Sequence, residues 1–135
     1  MSISGTDADF VVKLIDVLPD TEATENGKNA AGMQRLVRAE VLRGKFRNSF
    51  SKPEPFIPGK ITEVKYELND IAHCFKKGHK IMVQIQSSWF PLVDRNPQKF
   101  MTIANADDKD FVPATIRIYH DAKHPSSIKV LQLDK

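Results

Sequence analysis

The chain is short of the residues that staple a fold, span a bilayer or coat a polyanion. A single cysteine, Cys74, among 135 residues rules out an internal disulfide and the disulfide-dense secreted scaffolds, and leaves the redox compartment open. No apolar run approaches the roughly 20 residues of a membrane helix, and no charged-then-apolar leader opens the chain. We therefore expect a soluble chain with no membrane partner. Charge of one sign is missing too. The 20 basic and 17 acidic residues are interleaved, the net charge is +3, and no basic stripe is set with aromatics, which argues against nucleic acid as a partner. Internal repeats and low-complexity tracts are absent.

What remains is globular. A content of 41% hydrophobic and 27% charged residues suits one domain over residues 1–135, with a single core. The stretch Gly78 to Pro97 organises the reading. His79, Ile81, Val83, Ile85 and Ser87 alternate with Lys80, Met82, Gln84, Gln86 and Ser88, the period of a half-buried strand, and we expect it at the centre of a sheet. It leads into the only Trp, Trp89, then Phe90, Pro91 and the turn-prone Asp94-Arg95-Asn96. Binding chemistry tends to sit on such loops.

Earlier in the chain, Phe10 to Val17 is a strand apolar on both faces, which demands cover on both sides. Thr21 to Gly32, with the turn pair Asn26-Gly27, reads as a long hairpin loop. Met33 to Leu42 separates into alternating faces and is expected to pair antiparallel with the first strand. A helix competes there on propensity, but Gly44 stops the run early. Pro53, Pro55 and Pro58 make Ser51 to Pro58 an extended crossover. Lys60 to Leu68 is expected as a strand with one wet face, and Asn69 to Lys77 stays open between a helical turn and a strand. Gln98 to Pro113 is irregular. Thr115 to His120 and Ser127 to Leu133 are expected as two short strands around the Asp121 to Pro125 turn. Six or seven short strands without a long amphipathic helix predict an all-β antiparallel sandwich.

Catalytic chemistry is not visible. None of the eight Ser residues stands in a Gly-x-Ser-x-Gly elbow. Cys74 lacks a placed base and is expected as a small core residue. His120 and His124 have metal-ligand spacing for a helix, but they follow an alternating strand and end in Pro125, so a turn is the better reading. His73 and His79 read as packing or hydrogen-bonding residues. Asp7, Asp9 and Asp16 could approach a calcium ion, although carboxylates bonding local backbone N–H groups suit a strand entrance better. Trp89, Phe90 and Tyr119 could stack on sugar, with a buried interface cluster preferred. No catalytic residue, metal site or cofactor is expected.

Several ordered motifs carry a family resemblance: Ser4-Gly5-Thr6-Asp7-Ala8-Asp9-Phe10, Lys13 to Asp20, Arg43 to Ser49, Gly78 to Gln84, Ser87 to Pro91 with Asp94-Arg95-Asn96, and Tyr119-His120 with His124-Pro125-Ser126. Together they resemble the C-terminal domain of the X-Pro dipeptidyl-peptidase, cocaine esterase and α-amino acid ester hydrolase group. The resemblance implies a non-catalytic, galactose-binding-like jelly roll lacking its first strands. It implies packing against an α/β-hydrolase domain with a Ser-Asp-His triad and a helical cap, beside the active site. The interdomain and structural residues expected on this basis are Trp89, Phe90, Pro91, Asp94, Arg95 and Asn96, with Arg43, Arg47 and Asn48 as candidate partners of Asp94. An incomplete sandwich would also favour self-association. A free-standing carbohydrate-binding or adhesion module is the alternative, because fold alone does not fix function.

Overall fold

The computed structural model describes residues 1–21 and 29–133; the expected Asn26-Gly27 turn lies outside them. Among the described residues, five strands form two antiparallel sheets: β1 (Ser2–Ile3), β2 (Asp9–Val17), β3 (Gln34–Arg43), β4 (Lys80–Gln86) and β5 (Ile116–Arg117). The larger sheet has the order β3-β2-β4, and β1 pairs with β5 in the smaller one. No α-helix occurs among the described residues; 3₁₀ turns occupy Gly44–Phe46, Ile103–Asn105 and Asp108–Asp110.

The centre of the larger sheet is β2, whose two-sided apolar sequence requires neighbours on both edges and cover on both faces. Phe10, Val11, Leu14 and Ile15 are all buried. The expected hairpin partner is β3, a strand and not a helix, running from Asp9↔Arg43 to Val17↔Gln34. Its register slips between Leu14 and Ile15, which pair with Arg38 and Leu36. Val37 is thereby the extra residue of a β-bulge. It is buried, whereas Leu36 beside it is exposed.

The organising stretch forms β4 as its alternation requires, but at an edge of the sheet instead of its centre. Its apolar residues Ile81, Val83 and Ile85 are 63%, 41% and 44% exposed. The strand alternates between a partly covered and an open face as expected, but the partly covered face is that of Met82, Gln84 and Gln86. Its apolar face carries little cover, because the chain laid over this side of the sheet lies against β2.

That covering chain is residues 60–75. Here the expected strand Lys60 to Leu68 keeps its alternation, with Thr62, Val64, Tyr66 and Leu68 turned inward, yet it forms no ladder and is not a regular strand. Side chains and chain ends hold it instead. Thr62 N–H donates to Met1 O at 2.8 Å, the Tyr66 hydroxyl donates to Phe10 O at 3.1 Å, and Asn69 Nδ2 donates to Glu40 Oε1 at 2.9 Å. Asn69 to Lys77, left open between a helical turn and a strand, forms neither a helix nor a strand. Ser127 to Leu133 forms no strand either, and Thr115 to His120 contributes only the two residues of β5. The alternating pattern specifies an extended chain, whereas a ladder requires a partner at hydrogen-bonding distance.

The core joins the two sheets. Ile3 of β1, Ala8, Phe10 of β2 and Phe56 of the proline-rich crossover pack together, with Met1, Val64, Tyr66 and Ile116 around them. The Phe10 and Phe56 rings meet edge to face at 6.1 Å. Burial raises the Tyr66 phenol to about 12.

Candidate functional site

Residues 89–98 leave β4 as a loop, and a polar knot fastens the far end of that loop to the sheet. Asn96 is buried, donating from Nδ2 to Asp9 Oδ1 at 2.8 Å and accepting at Oδ1 from Gln98 N–H at 2.8 Å. Arg43, at the end of β3, grips Asp9 at two points: Nε to Oδ1 and Nη2 to Oδ2, each 3.1 Å. The same Nη2 donates to the Asp94 backbone carbonyl at 3.1 Å. Gln98 O accepts from Thr6 N–H at 3.1 Å, and Thr6 Oγ1 accepts from Phe100 N–H at 2.8 Å. A Cβ on Gly5 would collide with Gln98 O, so the motif Ser4 to Asp7 and the loop need glycine where they meet.

The structure therefore brings Asn96, Arg43 and the Asp94 backbone together, and corrects the rest of the expected Asp94 pairing. Arg47 donates to Gly44 O, Glu54 O and Pro55 O, and Asn48 donates to Glu54 Oε2 at 2.9 Å. Both tie down the proline-rich crossover, not the loop. The Asp94 side chain is exposed and has no hydrogen-bond partner among the described residues. Arg95 lies over the Phe111 ring at 4.7 Å.

Beyond the knot, the loop turns apolar side chains outward. Phe90 and Leu92 are 64% and 69% exposed, and Phe50 is 84% exposed. Leu92 and Val93 share an open groove of about 440 Å³ with Val41, Leu42, Phe46 and Phe50, and the Phe46 and Phe50 rings stack at 6.4 Å. The sugar platform of Trp89, Phe90 and Tyr119 is not assembled. Lys13 Nζ covers the Trp89 ring at 4.8 Å, while the Tyr119 hydroxyl bonds Ser2 Oγ at 3.0 Å and its ring meets His124.

Asp9 and Asp16, expected to bond local backbone N–H groups, take side-chain donors from distant segments instead: Arg43 and Asn96 for Asp9, His79 and His73 for Asp16; both sit in an otherwise apolar strand. A carboxylate there must find donors once buried, and that is the signal that could have exposed them. Asp16 is 1% exposed. It accepts from His79 Nδ1 at 2.7 Å and His73 Nε2 at 3.0 Å. Burial pushes its carboxyl up, but the two imidazole bonds outweigh this and hold it below the usual value. Asp7, fully buried, is raised by that burial. Its Oδ1 accepts from the N–H groups of Ala8 and Lys45, both at 2.9 Å, as expected of a strand entrance, and its Oδ2 has no partner.

Nucleophilic chemistry finds no support in these contacts. The hydroxyls of Ser2, Ser4 and Ser126 are engaged with Tyr119, Thr115 and the Tyr119 carbonyl. Cys74 is exposed, correcting its expected place in the core. Its neighbour His73 is the residue that reaches Asp16. Asp121 holds the expected turn, accepting at Oδ1 from the N–H groups of Lys123 and His124. No group of three or more His, Cys, Asp or Glu among the described residues is arranged to hold a metal ion.

Together these contacts make a two-sheet β domain with a polar knot under an apolar loop. Residues 1–129 match the family model of the X-Pro dipeptidyl-peptidase C-terminal non-catalytic domain. The chain belongs to that family. The chain is 34% identical over 128 residues to the cocaine esterase of Rhodococcus sp. (strain MB1 Bresler), covering 95% of the chain and 20% of that protein. Among solved structures, it resembles an aminopeptidase from a marine sediment archaeon, Thaumarchaeota archaeon, with TM-score 0.84 and 43% identity over 92% of the chain. It also resembles a selenomethionine-labelled α-amino acid ester hydrolase, with TM-score 0.85 and 41% identity over the same share. The domain spans about a fifth of each of these proteins.

Proposed function

We propose that this domain is the accessory jelly roll of a serine acyl hydrolase, packing against the α/β-hydrolase and cap domains and bordering their active site. The observation that carries this reading is the construction of the 89–98 loop. Its base is locked by Asn96, Asp9 and Arg43, while Phe90 and Leu92 are held out to solvent on the locked frame. Large apolar side chains on a fixed loop, beside an open groove, suit a docking face, because burying them lowers free energy and ordering them costs little more.

The test uses the full-length parent enzyme and the 1–135 chain side by side. Phe90→Ser with Leu92→Ser is expected to lower the melting temperature and acyl-hydrolase activity of the parent, and to leave the melting temperature of the isolated chain unchanged. If the parent is equally unaffected, the loop is not a docking face.

A further inference from the structure

We propose that the groove between the 89–98 loop and the Phe46–Phe50 segment receives an arginine-bearing segment of the hydrolase domain, and that Asp94 is the residue that selects it. The inference rests on the docking role proposed above and adds the chemistry of the partner. Leu92 and Val93 line the groove from the loop, Phe46 and Phe50 from the segment after β3, and Val41 and Leu42 from the end of β3 itself. The loop side is fixed on both flanks of Leu92. Val93 N–H donates to Trp89 O at 3.0 Å, and Arg43 Nη2 holds the Asp94 carbonyl at 3.1 Å. A partner therefore meets a surface that is already ordered.

Charge decides the occupant. Arg43 and Asp94 are the two ionisable residues that line the groove, and the Arg43 guanidinium is already neutralised by Asp9. The charges next along the chain are engaged as well: Lys45 Nζ donates to Met101 O at 2.6 Å, and Arg47 and Glu54 face each other at 3.7 Å. The Asp94 carboxylate is exposed and, among the described residues, has neither a hydrogen-bond partner nor an ion pair. One uncompensated negative charge thus stands beside an open apolar and aromatic surface.

An arginine answers every part of that surface. Its aliphatic stem covers apolar side chains such as Leu92, its planar fork gives a carboxylate two parallel bonds, and its face stacks on an open ring such as Phe50. A lysine supplies the charge without the fork or the stacking plane. An acidic segment is repelled by Asp94. A wholly apolar segment would cover the carboxylate and leave it without a donor, which costs more than the apolar contact returns.

The test reads the melting temperature of the full-length parent, with the 1–135 chain as the folding control. Asp94→Asn is expected to lower the melting temperature of the parent by about 2 °C, Asp94→Arg to lower it further, and Asp94→Glu to keep most of the wild-type value. The isolated chain is expected to melt alike in all four forms. Phenylglyoxal, which modifies arginine, identifies the partner: one arginine of the hydrolase domain is expected to react slowly in the wild-type parent and faster in Asp94→Asn. A parent indifferent to Asp94→Asn and Asp94→Arg overturns the inference. If Phe90→Ser with Leu92→Ser still destabilises that parent, the docking face stands and only its arginine partner is lost. Equal losses from Asp94→Asn and Asp94→Glu, or no arginine whose reactivity changes, overturn it as well. So does a wild-type 1–135 chain that dimerises in sedimentation velocity and separates on Asp94→Arg, because a second copy then fills the groove.

Discussion

Asp9 and Arg43 are opposite one another at the end of the β2–β3 ladder, and their side chains close a two-point ion pair with both contacts at 3.1 Å. The carboxylate is 3% exposed and the guanidinium 23%, so the pair is sheltered from screening. Asn96 supplies a further donor to the same carboxylate, and Arg43 reaches on to the loop carbonyl at Asp94. One ion pair thus couples the sheet to the proposed docking loop.

Arg43→Ala leaves the Asp9 carboxylate buried without its cation and is expected to lower unfolding free energy by about 3 kcal/mol. Arg43→Lys is expected to recover less than half of this, because an ammonium cannot reproduce the two parallel bonds. Urea denaturation of the three proteins at neutral pH measures both.

Asp94→Ala is expected to be nearly silent in the isolated chain, within about 0.5 kcal/mol of wild type. The loop is held through the Asp94 carbonyl, which any residue retains. A loss above about 1.5 kcal/mol would mean that the carboxylate has a partner the structure does not show.

The Asp16 cluster predicts a dependence on pH. A carboxyl whose value is depressed in the fold stabilises fully above its unfolded value of about 3.9, and that stabilisation disappears as pH falls through the lower folded value. Asp16→Asn should therefore destabilise by a constant amount, about 2 kcal/mol, above roughly pH 5, and by progressively less in acid. A deficit that stays level down to pH 2 would refute this assignment.

Asp7 predicts the opposite sign. Its carboxyl is raised by burial, so the charged form weighs against folding once pH exceeds the raised value. Asp7→Asn keeps one oxygen for the N–H groups of Ala8 and Lys45 and removes the charge. Stability of the variant relative to wild type is expected to rise between about pH 4 and pH 7; denaturant titrations at the two ends measure the difference.

Gly44 is the site where packing tolerates no side chain. A Cβ there would stand 2.6 Å from Phe56 Cε2, 2.7 Å from Ala8 O and 2.8 Å from Phe10 Cε2. Gly44→Ala is expected to cost about 3 kcal/mol by overpacking the core, measured as a lowered denaturation midpoint.

Periodicity and breaker residues alone determined which segments are extended. Alternation in Gln34 to Arg43 and Lys80 to Gln86 fixes the pleat, two-sided apolarity places Phe10 to Val17 under cover, and prolines bar Ser51 to Pro58 from a ladder. These properties are local, set by side-chain direction along a strand. The motifs from Ser4 to Ser126 carried the family for the same reason, since they are ordered residues in line. Only the tertiary structure decided which extended segments pair, and so put β4 at an edge and left residues 60–68 without a ladder. It also decided which donor each buried acid takes: Arg43 and Asn96 for Asp9, His73 and His79 for Asp16. Those choices join residues 34 to 87 positions apart, and they depend on where the chain returns in space, which no local pattern encodes.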